Sequence, residues 1–279
     1  MKYPPLRIHV WGGLGSQLFA ASLAHTLKSR FPNRSLVLVL HSSGVTRREP
    51  EILKLFPDFR FEMVDDFTER VNHDSHSKIP SLQSLFRSLV RRILLVSGIL
   101  AEENTSEGYR AHRWTFALRG HYFHRNVSPE FLQLLEMRLS KCAAEDLIAF
   151  QDEITLHYRL GDLLELENKS FVDPQRIGSL LSHVKQSDKV AIFSDSPDVA
   201  VTLIAQTAKN KILHSVNYPT VETIYAASKG AVFVGTSSKI SYWVVLLRLA
   251  NSGYSSYLPK QDLSTISILS KAASRVNFY

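Results

Sequence analysis

Short apolar runs of strand length begin the chain. Leu6 to Val10 is followed by Leu36 to Leu40, which is rich in Val and Leu and lacks polar alternation. Between them, apolar residues recur at helical spacing from about Ser16 to Arg30. Because continuous apolar runs are typical of parallel strands covered on both faces, the pattern predicts a β-α-β beginning.

Strands and helices alternate again in the second half of the chain. Repeated βα units of this kind predict a parallel sheet, so we expect an α/β protein with two Rossmann-like lobes, residues 1–148 and 149–279. The predicted strands are Ile154 to Tyr158, Lys189 to Phe193, Ile212 to His214 and Ala231 to Val234, and the predicted helices are Asp173 to Val184, Pro197 to Lys209, Val221 to Ala227 and Lys239 to Asn251.

Two more helices are predicted near the end of the first half. From Ser81 to Leu100, apolar residues recur at helical spacing with arginines between them, which indicates a basic amphipathic helix. Such a helix either packs on the core as a surface helix or docks on an anionic membrane, and the sequence leaves both interpretations open. The second helix is predicted from about Pro129 to Ala149.

Composition and charge narrow the class of protein. With 279 residues and 44% hydrophobic content, the chain can bury a full core. Lys and Arg (33) outnumber Asp and Glu (26), and the net charge of +7 favours an anionic partner such as a nucleotide, a nucleic acid or a membrane surface. The basic residues are dispersed and no known nucleic-acid motif accompanies them, so nucleic-acid binding is not expected.

The expected location is the cytoplasm, with contact to the inner face of the membrane through helix 81–100 as an open addition. The lone Cys142 excludes an intrachain disulfide and agrees with a reducing compartment. The segment Met1 to Val10 has no hydrophobic signal-peptide core. The longest apolar run, Ile93 to Leu100, is far shorter than the roughly 20 residues of a membrane-spanning helix.

A glycine-rich segment, Gly12 to Leu18, lies between the first strand and the first helix. Gly13, Gly15, Ser16 and Gln17 are candidate binding residues, because backbone amides at a helix N-terminus can face an anionic ligand. The alternative is a tight turn that needs glycine for its positive φ.

An NAD-dependent oxidoreductase is the rival enzyme class for this β-α-β start. The segment gives G-x-G-x-x-L where a dinucleotide fingerprint has a third glycine. The second strand is followed by Leu40-His41-Ser42 and has no acidic residue for a ribose. Both observations argue against this class.

The segment His157-Tyr158-Arg159-Leu160-Gly161-Asp162 stands at the C-terminal end of a predicted strand, where ligands bind in open parallel sheets. The Arg159 guanidinium offers a fixed charge and forked donors that suit a diphosphate. His157, two residues earlier on the same strand face, can add a hydrogen bond. The alternative is a structural pair between Arg159 and Asp162.

Two further strand ends carry polar side chains. After the strand ending at Phe193, Ser194 and Asp195 precede a predicted helix. Either Asp195 or Ser196 caps that helix, or the Asp195 carboxylate accepts hydrogen bonds from a guanine. After Val234, three consecutive hydroxyls open another helix, and they form either a phosphate cradle or a serine cap. These hydroxyls belong to Thr236, Ser237 and Ser238.

The order of these segments resembles the motif series of the α-1,2-fucosyltransferases and, more loosely, of the α-1,6- and protein O-fucosyltransferases. Residues 12–18 are similar to GGLGNQL, 157–162 to HxRRGD and 193–195 to FSD. Residues 237–243 are similar to NSSFSWW, and 118–123 resemble a GYF element.

The resemblance implies a glycosyltransferase B fold and an inverting fucosyltransferase, of the galactoside α-1,2 type, that moves fucose from GDP-fucose to a hydroxyl of a glycan acceptor. It places acceptor contacts mainly in the first lobe and the donor in the second. It also implies that Arg159 contacts the β-phosphate, His157 supports the donor and Asp195 reads guanine, with the three hydroxyls of residues 236–238 near the diphosphate.

No metal ion is expected to assist this reaction. The chain contains no D-x-D triplet, so Arg159 is the natural group to meet the charge that develops on the departing GDP. His73-Asp74-Ser75-His76 looks like a metal cluster, but without a nearby cysteine or a helical partner it is expected to be a solvated loop. The general base stays open among Asp162, Glu165 and Glu167.

Four positions depart from the family's motifs. Ser16 stands in place of asparagine, Leu160 in place of the second arginine, Ser237 in place of asparagine and Tyr242 in place of tryptophan. These departures keep a second interpretation open, in which a relative of such transferases binds a nucleotide or glycan without catalysis.

Overall fold

A computed structural model describes residues 4–42, 49–65, 82–103, 112, 114–143, 150–164, 171–251 and 255–279, without the side chains at 82–85, 87 and 162. The chain divides into two compact units, residues 1–125 and 126–279. The helix that begins at Pro129 belongs to the second unit, because it packs on two helices of that unit. The division therefore falls before this helix, whereas the sequence predicts it near residue 150.

The first unit contains a parallel five-stranded sheet in the order β3-β2-β1-β5-β4. Alternate residues of β1 face the core, since Leu6, Ile8 and Val10 are at most 1% exposed. The elements of this unit are β1 (Leu6–Trp11), α1 (Leu14–Arg30), β2 (Leu36–His41), α2 (Ile52–Leu55), β3 (Arg60–Val64), α3 (Leu82–Val96), β4 (Leu100–Glu102) and β5 (Ala117–Arg119).

Helix α3 is shorter than predicted and exposes its apolar stripe. It ends at Val96 because Gly98 adopts a φ of +72°, and the chain then enters β4. Four residues at helical spacing are 56% to 90% exposed, so this stripe does not pack on the described core as a surface helix would. The exposed stripe consists of Phe86, Leu89, Ile93 and Val96.

The second unit contains a parallel six-stranded sheet in the order β11-β10-β9-β6-β7-β8. Its elements are α4 (Pro129–Cys142), β6 (Ile154–His157), α5 (Pro174–His183), β7 (Lys189–Phe193), α6 (Pro197–Ala205), β8 (Ile212–Val216), α7 (Thr220–Lys229), β9 (Val232–Gly235), α8 (Lys239–Ala250), β10 (Ser255–Leu258), α9 (Leu263–Leu269) and β11 (Asn277–Phe278).

The core of the second unit lies around its central strands and α8. All four residues of β6 and of β9 are buried, so both strands are covered on both faces. Helix α8 is buried on nearly all sides, and Tyr242 and Trp243 are part of this core. Arg248, also on α8, is buried and donates hydrogen bonds to the backbone carbonyls of Ser228 and Gly230.

Each sheet reverses its strand order at one point. In the first unit the reversal falls between β1 and β5, and in the second it falls between β6 and β9. Ligands of open parallel sheets bind in the crevice at the carboxyl ends of the strands at such a point. The predicted fold class, α/β with two Rossmann-like lobes, is confirmed by the two parallel sheets and the helices between their strands.

None of the described helices has both the length and the apolar character to cross a membrane.

Candidate functional site

A cavity of about 220 Å³ opens at the carboxyl ends of β6 and β9, where the strand order of the second sheet reverses. It is lined by residues that follow β6, β9 and β10 and by residues around the start of α5. Two arginines, one carboxylate and three uncharged polar side chains provide its polar surface. They are Arg159, Arg176, Asp173, Thr236, Ser237 and Gln261.

Arg159 lies two residues after β6 and is held on both backbone and side chain. Its backbone N–H donates to Thr236 Oγ1 at 3.0 Å, and its side-chain Nε lies 3.0 Å from Asp195 Oδ2. The Arg159 side chain is 28% exposed and lines the cavity, while its backbone and its Nε are held in place. The sequence therefore placed this guanidinium correctly at a strand end, and the structure adds a contact with Asp195, which lies on the loop after β7. The predicted pair with Asp162 stays a prediction, because that side chain lies outside the described part of the structure.

The Asp195 carboxylate binds the loop that carries Arg159. Its Oδ1 accepts hydrogen bonds from the backbone N–H groups of Leu160 at 2.9 Å and Gly161 at 2.8 Å. Ser196 is the N-cap residue of α6, and Asp195 is not its cap. The helix-capping interpretation of Asp195 is therefore wrong, and its predicted contact with guanine stays a prediction.

His157 is a neutral, buried side chain beneath this loop. Its pKa is lowered from 6.5 to about 4, mainly by burial; Asp195 acts in the opposite direction and Arg159 in the same direction as burial. The ring Nδ1 lies 2.8 Å from Ser241 Oγ in the first turn of α8. His157 does not line the cavity but fixes β6 against α8, and its predicted support of a donor stays a prediction.

Thr236 connects the two central strands at the reversal point. Its hydroxyl is buried, donates to the carbonyl of His157 at 3.2 Å and accepts from the backbone N–H of Arg159 at 3.0 Å. The residue also lines the cavity, so it both shapes the wall and orients the arginine loop.

Ser237 lies in a hydrogen-bonded row at the cavity wall. Its hydroxyl donates to Asp262 Oδ2 at 3.0 Å and accepts from Gln261 Nε2 at 2.7 Å. Burial raises the pKa of Asp262, although hydrogen bonds from Tyr242 and Ser237 act in the opposite direction. The Ser237 oxygen is therefore fixed in direction before any ligand arrives.

The predicted hydroxyls of Ser238 and Ser194 bind backbone N–H groups near the starts of helices. Ser238 Oγ accepts from the backbone N–H of Ser241 at 3.1 Å and caps α8, so the capping interpretation is correct for this residue. Ser194 Oγ accepts from the backbone N–H of Ser196 at 3.1 Å. Neither residue lines the cavity.

The chain matches no protein-family profile and no curated protein. Among solved structures it is similar to POFUT1 in complex with GDP-fucose, with 12% identity, a TM-score of 0.42 and coverage of 92% of this chain and 98% of that chain. E. coli heptosyltransferase WaaC with ADP has 10% identity, a TM-score of 0.49 and coverage of 98% and 92%. A UDP-N-acetylglucosamine 2-epimerase has 10% identity, a TM-score of 0.42 and coverage of 93% and 79%. At TM-scores below 0.5, these likenesses do not decide the function.

Sequence reasoning missed Arg176, the second arginine of the cavity. It occupies the first turn of α5, whose N-cap Asp173 accepts from the backbone N–H of Gln175 at 2.9 Å. A cation in the first turn of a helix opposes the helix dipole, so this position does not favour arginine for helix stability. That local conflict is the signal that points to a role in the cavity.

The glycine segment of the first unit is a tight turn with a helix start. Gly12 adopts a φ of +99°, and a Cβ there would lie 2.9 Å from Ser16 Oγ, so the turn requires glycine. Gly13 is the N-cap residue of α1 and has no side chain to cap it. The tight-turn interpretation is therefore correct for Gly12, and anion binding by Gly13, Gly15 and Ser16 stays a prediction.

The Gln17 side-chain amide forms hydrogen bonds within the first unit. Its Nε2 donates to the carbonyls of Gly12 at 3.1 Å and Glu49 at 2.9 Å, and its Oε1 accepts from the backbone N–H of Ile52 at 3.1 Å. With 2% exposure, this amide holds the glycine turn against α2.

The general base is not located. Asp162 lies in a 3-10 turn, Gly161–Leu163, but its side chain is outside the described part of the structure. Glu165, Glu167 and the segment His73 to His76 also lie outside the described residues.

Proposed function

We propose that this chain is a glycosyltransferase that binds the diphosphate of a nucleotide sugar in the cavity of the second unit. The observation that carries the proposal is Arg159, fixed at the point where the strand order reverses and facing a cavity that also contains Arg176. Guanidinium groups bind phosphate oxygens with two parallel hydrogen bonds, and such crevices are where parallel sheets bind nucleotides.

The assignment to GDP-fucose as donor and a glycan hydroxyl as acceptor follows the motif resemblance. The cavity volume of about 220 Å³ is below the roughly 300 Å³ at which ligand pockets begin. We therefore assign this cavity to the diphosphate and neighbouring atoms of the donor. The resemblance assigns the acceptor to the first unit.

In the proposed reaction, the acceptor oxygen forms a bond with the anomeric carbon while the bond from that carbon to the β-phosphate oxygen breaks. The electron pair of the broken bond stays on the departing GDP, and the acceptor proton goes to a general base. Attack from the face opposite GDP inverts the anomeric carbon. Arg159 meets the charge on the β-phosphate, a task that other transferases give to a metal ion.

Arg176 supplies the second cation that the family's motif places next to the first. That motif position is Leu160 here, and its side chain is fully buried in the core of the second unit. A cation at position 160 would therefore face the core, whereas Arg176 lines the cavity itself. The arginine pair is thus divided between the loop after β6 and the first turn of α5.

The proposed function is tested by calorimetric titration with GDP, UDP and NAD, first without metal and then with Mg²⁺. Binding of GDP that is tighter than that of UDP and NAD and independent of Mg²⁺ supports a GDP-sugar transferase. Preference for NAD would instead support the oxidoreductase. GDP binding without any transfer or hydrolysis of GDP-fucose would support the non-catalytic relative, which the departures at Ser16 and Leu160 suggest.

We also propose that α3 contacts the inner, anionic face of a membrane while the protein resides in the cytoplasm. At 100° per residue, Arg92 lies beside the exposed stripe of α3 and the helix contains no acidic residue, while Arg91 lies on the opposite side and pairs with Glu102. Trp114, 58% exposed, donates its ring N–H to the carbonyl of Ser97 at the end of this helix. Indole rings favour the membrane interface, so this surface fits anionic headgroups above acyl chains.

The membrane proposal is tested by sedimentation with vesicles of phosphatidylcholine alone or with phosphatidylglycerol. The wild type should sediment with the anionic vesicles, and a Phe86→Ser, Ile93→Ser double variant should stay in solution. Ile212→Ser, at a position 63% exposed in the second unit, is the matched control and should sediment like the wild type. Equal sedimentation of all three proteins would contradict the proposal.

A further inference from the structure

The Asp195 carboxylate has little acceptor capacity left for a ligand. Its two oxygens offer about four lone-pair positions in total. Oδ1 accepts two backbone N–H groups, at 2.9 and 2.8 Å, and Oδ2 lies 3.0 Å from Arg159 Nε. A guanine presents a ring N–H and an amino N–H side by side, and a carboxylate reads that pair with both of its oxygens. Such a contact would require Asp195 to release part of its loop.

Gly161 adapts the loop to this carboxylate. A Cβ at position 161 would lie 2.2 Å from Asp195 Oδ2 and 2.6 Å from its Cγ, distances that no real Cβ tolerates. The carboxylate therefore lies directly against the glycine, and the contact exists only because no side chain is present there. The glycine and the aspartate act as one unit, although 34 residues separate them.

The ion pair orients Arg159 more than it stabilises the fold. The side chains of Arg159 and Asp195 are 28% and 35% exposed, and partly exposed pairs contribute little to folding free energy. A contact at Nε, however, fixes the plane of the guanidinium and so the directions of its other donors. Loss of the contact between Asp195 and Arg159 is therefore expected to weaken phosphate binding more than it destabilises the fold.

We propose that Asp195 is a positioning residue that holds Arg159 toward the diphosphate, and that the nucleotide base is recognised by other residues. The inference rests on the proposed function, since it assigns a role within the same cavity. It replaces the role of guanine reader that the motif resemblance implies for Asp195.

Asp195→Asn separates the two roles. The amide oxygen can still accept from Leu160 and Gly161, so the loop is retained, but the amide nitrogen then faces Arg159 Nε and two donors oppose each other. Asp198→Asn is the matched control, because Asp198 is an exposed carboxylate in the first turn of α6 and the charge change is the same.

Two measurements test the proposal. Calorimetry with GDP and UDP should show about 10- to 100-fold weaker binding of both nucleotides to Asp195→Asn, with an unchanged ratio between them. The Arg159 Nε–H signal in ¹⁵N NMR should be protected from exchange in the wild type and in Asp198→Asn and should lose that protection in Asp195→Asn.

Other outcomes would overturn it. If Asp195→Asn retains wild-type affinity for UDP and loses only the preference for GDP, Asp195 reads the base. If the Arg159 Nε–H signal is unchanged in Asp195→Asn, the positioning role is wrong whether or not nucleotides bind. Absence of any nucleotide binding to the wild type, with the NMR difference present, would instead reject the proposed function and leave the Asp195 contact established.

Discussion

The two units hold a loop at the reversal point of their sheets with the same kind of contact. In the first unit, the loop after β5 donates the backbone N–H groups of His121 and Tyr122 to Glu103 Oε2, at 3.0 and 2.6 Å. A Cβ at Gly120 would lie 2.7 Å from Glu103 Cβ. In both units, therefore, a carboxylate that follows a neighbouring strand accepts two consecutive amides and lies against a glycine.

The two carboxylates differ in the contact made by the oxygen that does not bind the loop. Glu103 Oε1 is buried and has no hydrogen-bond partner among the described residues, whereas Asp195 Oδ2 pairs with Arg159. Fixing the loop thus needs one oxygen only. In the second unit the other oxygen connects the fold to a guanidinium at the cavity, which is why we place the phosphate chemistry there.

Removal of the guanidinium should have the largest effect. Arg159→Ala is expected to reduce turnover of GDP-fucose by about 10² to 10³, because one group that stabilises developing charge is lost. Arg159→Lys should also lose transfer, since a lysine lacks the fork that pairs with Asp195 and the phosphate together. Initial rates of fucose release measure the effect, and circular dichroism checks the fold.

The control for this variant comes from the first unit. Arg119 ends β5 and stacks over Trp11 at 5.0 Å, and Arg119→Ala should leave GDP affinity unchanged. Near-wild-type turnover of either Arg159 variant would contradict the role given to Arg159.

The paired glycines test the comparison itself. Gly161→Ala and Gly120→Ala should each destabilise the protein by about 1 to 3 kcal/mol, because a methyl group meets a carboxylate side chain in both loops. Only Gly161→Ala should also weaken GDP binding, since it displaces Asp195 from Arg159. Urea denaturation and GDP titration of both variants measure this difference, and equal GDP affinities would remove the distinction between the units.

Each unit also contains a histidine whose charging opposes folding. The pKa of both His157 and His9 is lowered from 6.5 to about 4, mainly by burial; for His9, His41, Arg119 and Arg7 act in the same direction and Glu62 against it. Below pH 6.5 the unfolded chain binds protons that the folded chain does not, so stability falls as the pH drops toward 4.

For the fully buried His157, this loss should reach about 2 kcal/mol between pH 6.5 and pH 5. Urea denaturation at several pH values measures it, and His157→Gln should show a shallower pH dependence than the wild type. The slope that persists in this variant should decrease when His9 is also replaced. An unchanged slope in His157→Gln would contradict the lowered pKa, because His157 would then bind its proton equally well in the folded and unfolded chain.

The smallest effect is expected for the exposed second arginine. Arg176→Ala should weaken GDP binding by up to about fivefold, because an exposed charge contributes at most about 1 kcal/mol. Guanosine binding should not change, since the lost contact is to phosphate. A larger loss for guanosine than for GDP would place Arg176 at the nucleoside.

Strands buried on both faces were predictable, and short or polar ones were not. Residues 189–193 and 232–235 are mostly apolar, and residues 154–157 alternate apolar and polar side chains, so their sequences alone indicated strands. Arg60–Val64 forms an exposed edge strand, and Ser255–Leu258 begins with two serines, so neither shows the apolar pattern of a covered strand. Their pairing depends on neighbouring strands.

The residues of the candidate site were likewise predictable only in part. The sequence located Arg159, Thr236 and Ser237 at strand ends, because the carboxyl edge of a parallel sheet follows from strand prediction. It did not reveal that Asp195 binds the arginine loop or that Arg176 joins the cavity, since these contacts arise only when distant segments meet. Whether a serine caps a helix or faces a cavity is likewise decided by a rotation of one residue, as Ser237 and Ser238 show.

A crystal structure of the protein with bound GDP tests the central claim most directly. We expect the β-phosphate in the cavity at the ends of β6 and β9, within hydrogen-bond distance of the Arg159 guanidinium, while Asp195 still contacts Nε and does not touch the nucleotide base. A diphosphate bound elsewhere, or an Arg159 side chain turned away from it, would contradict the account.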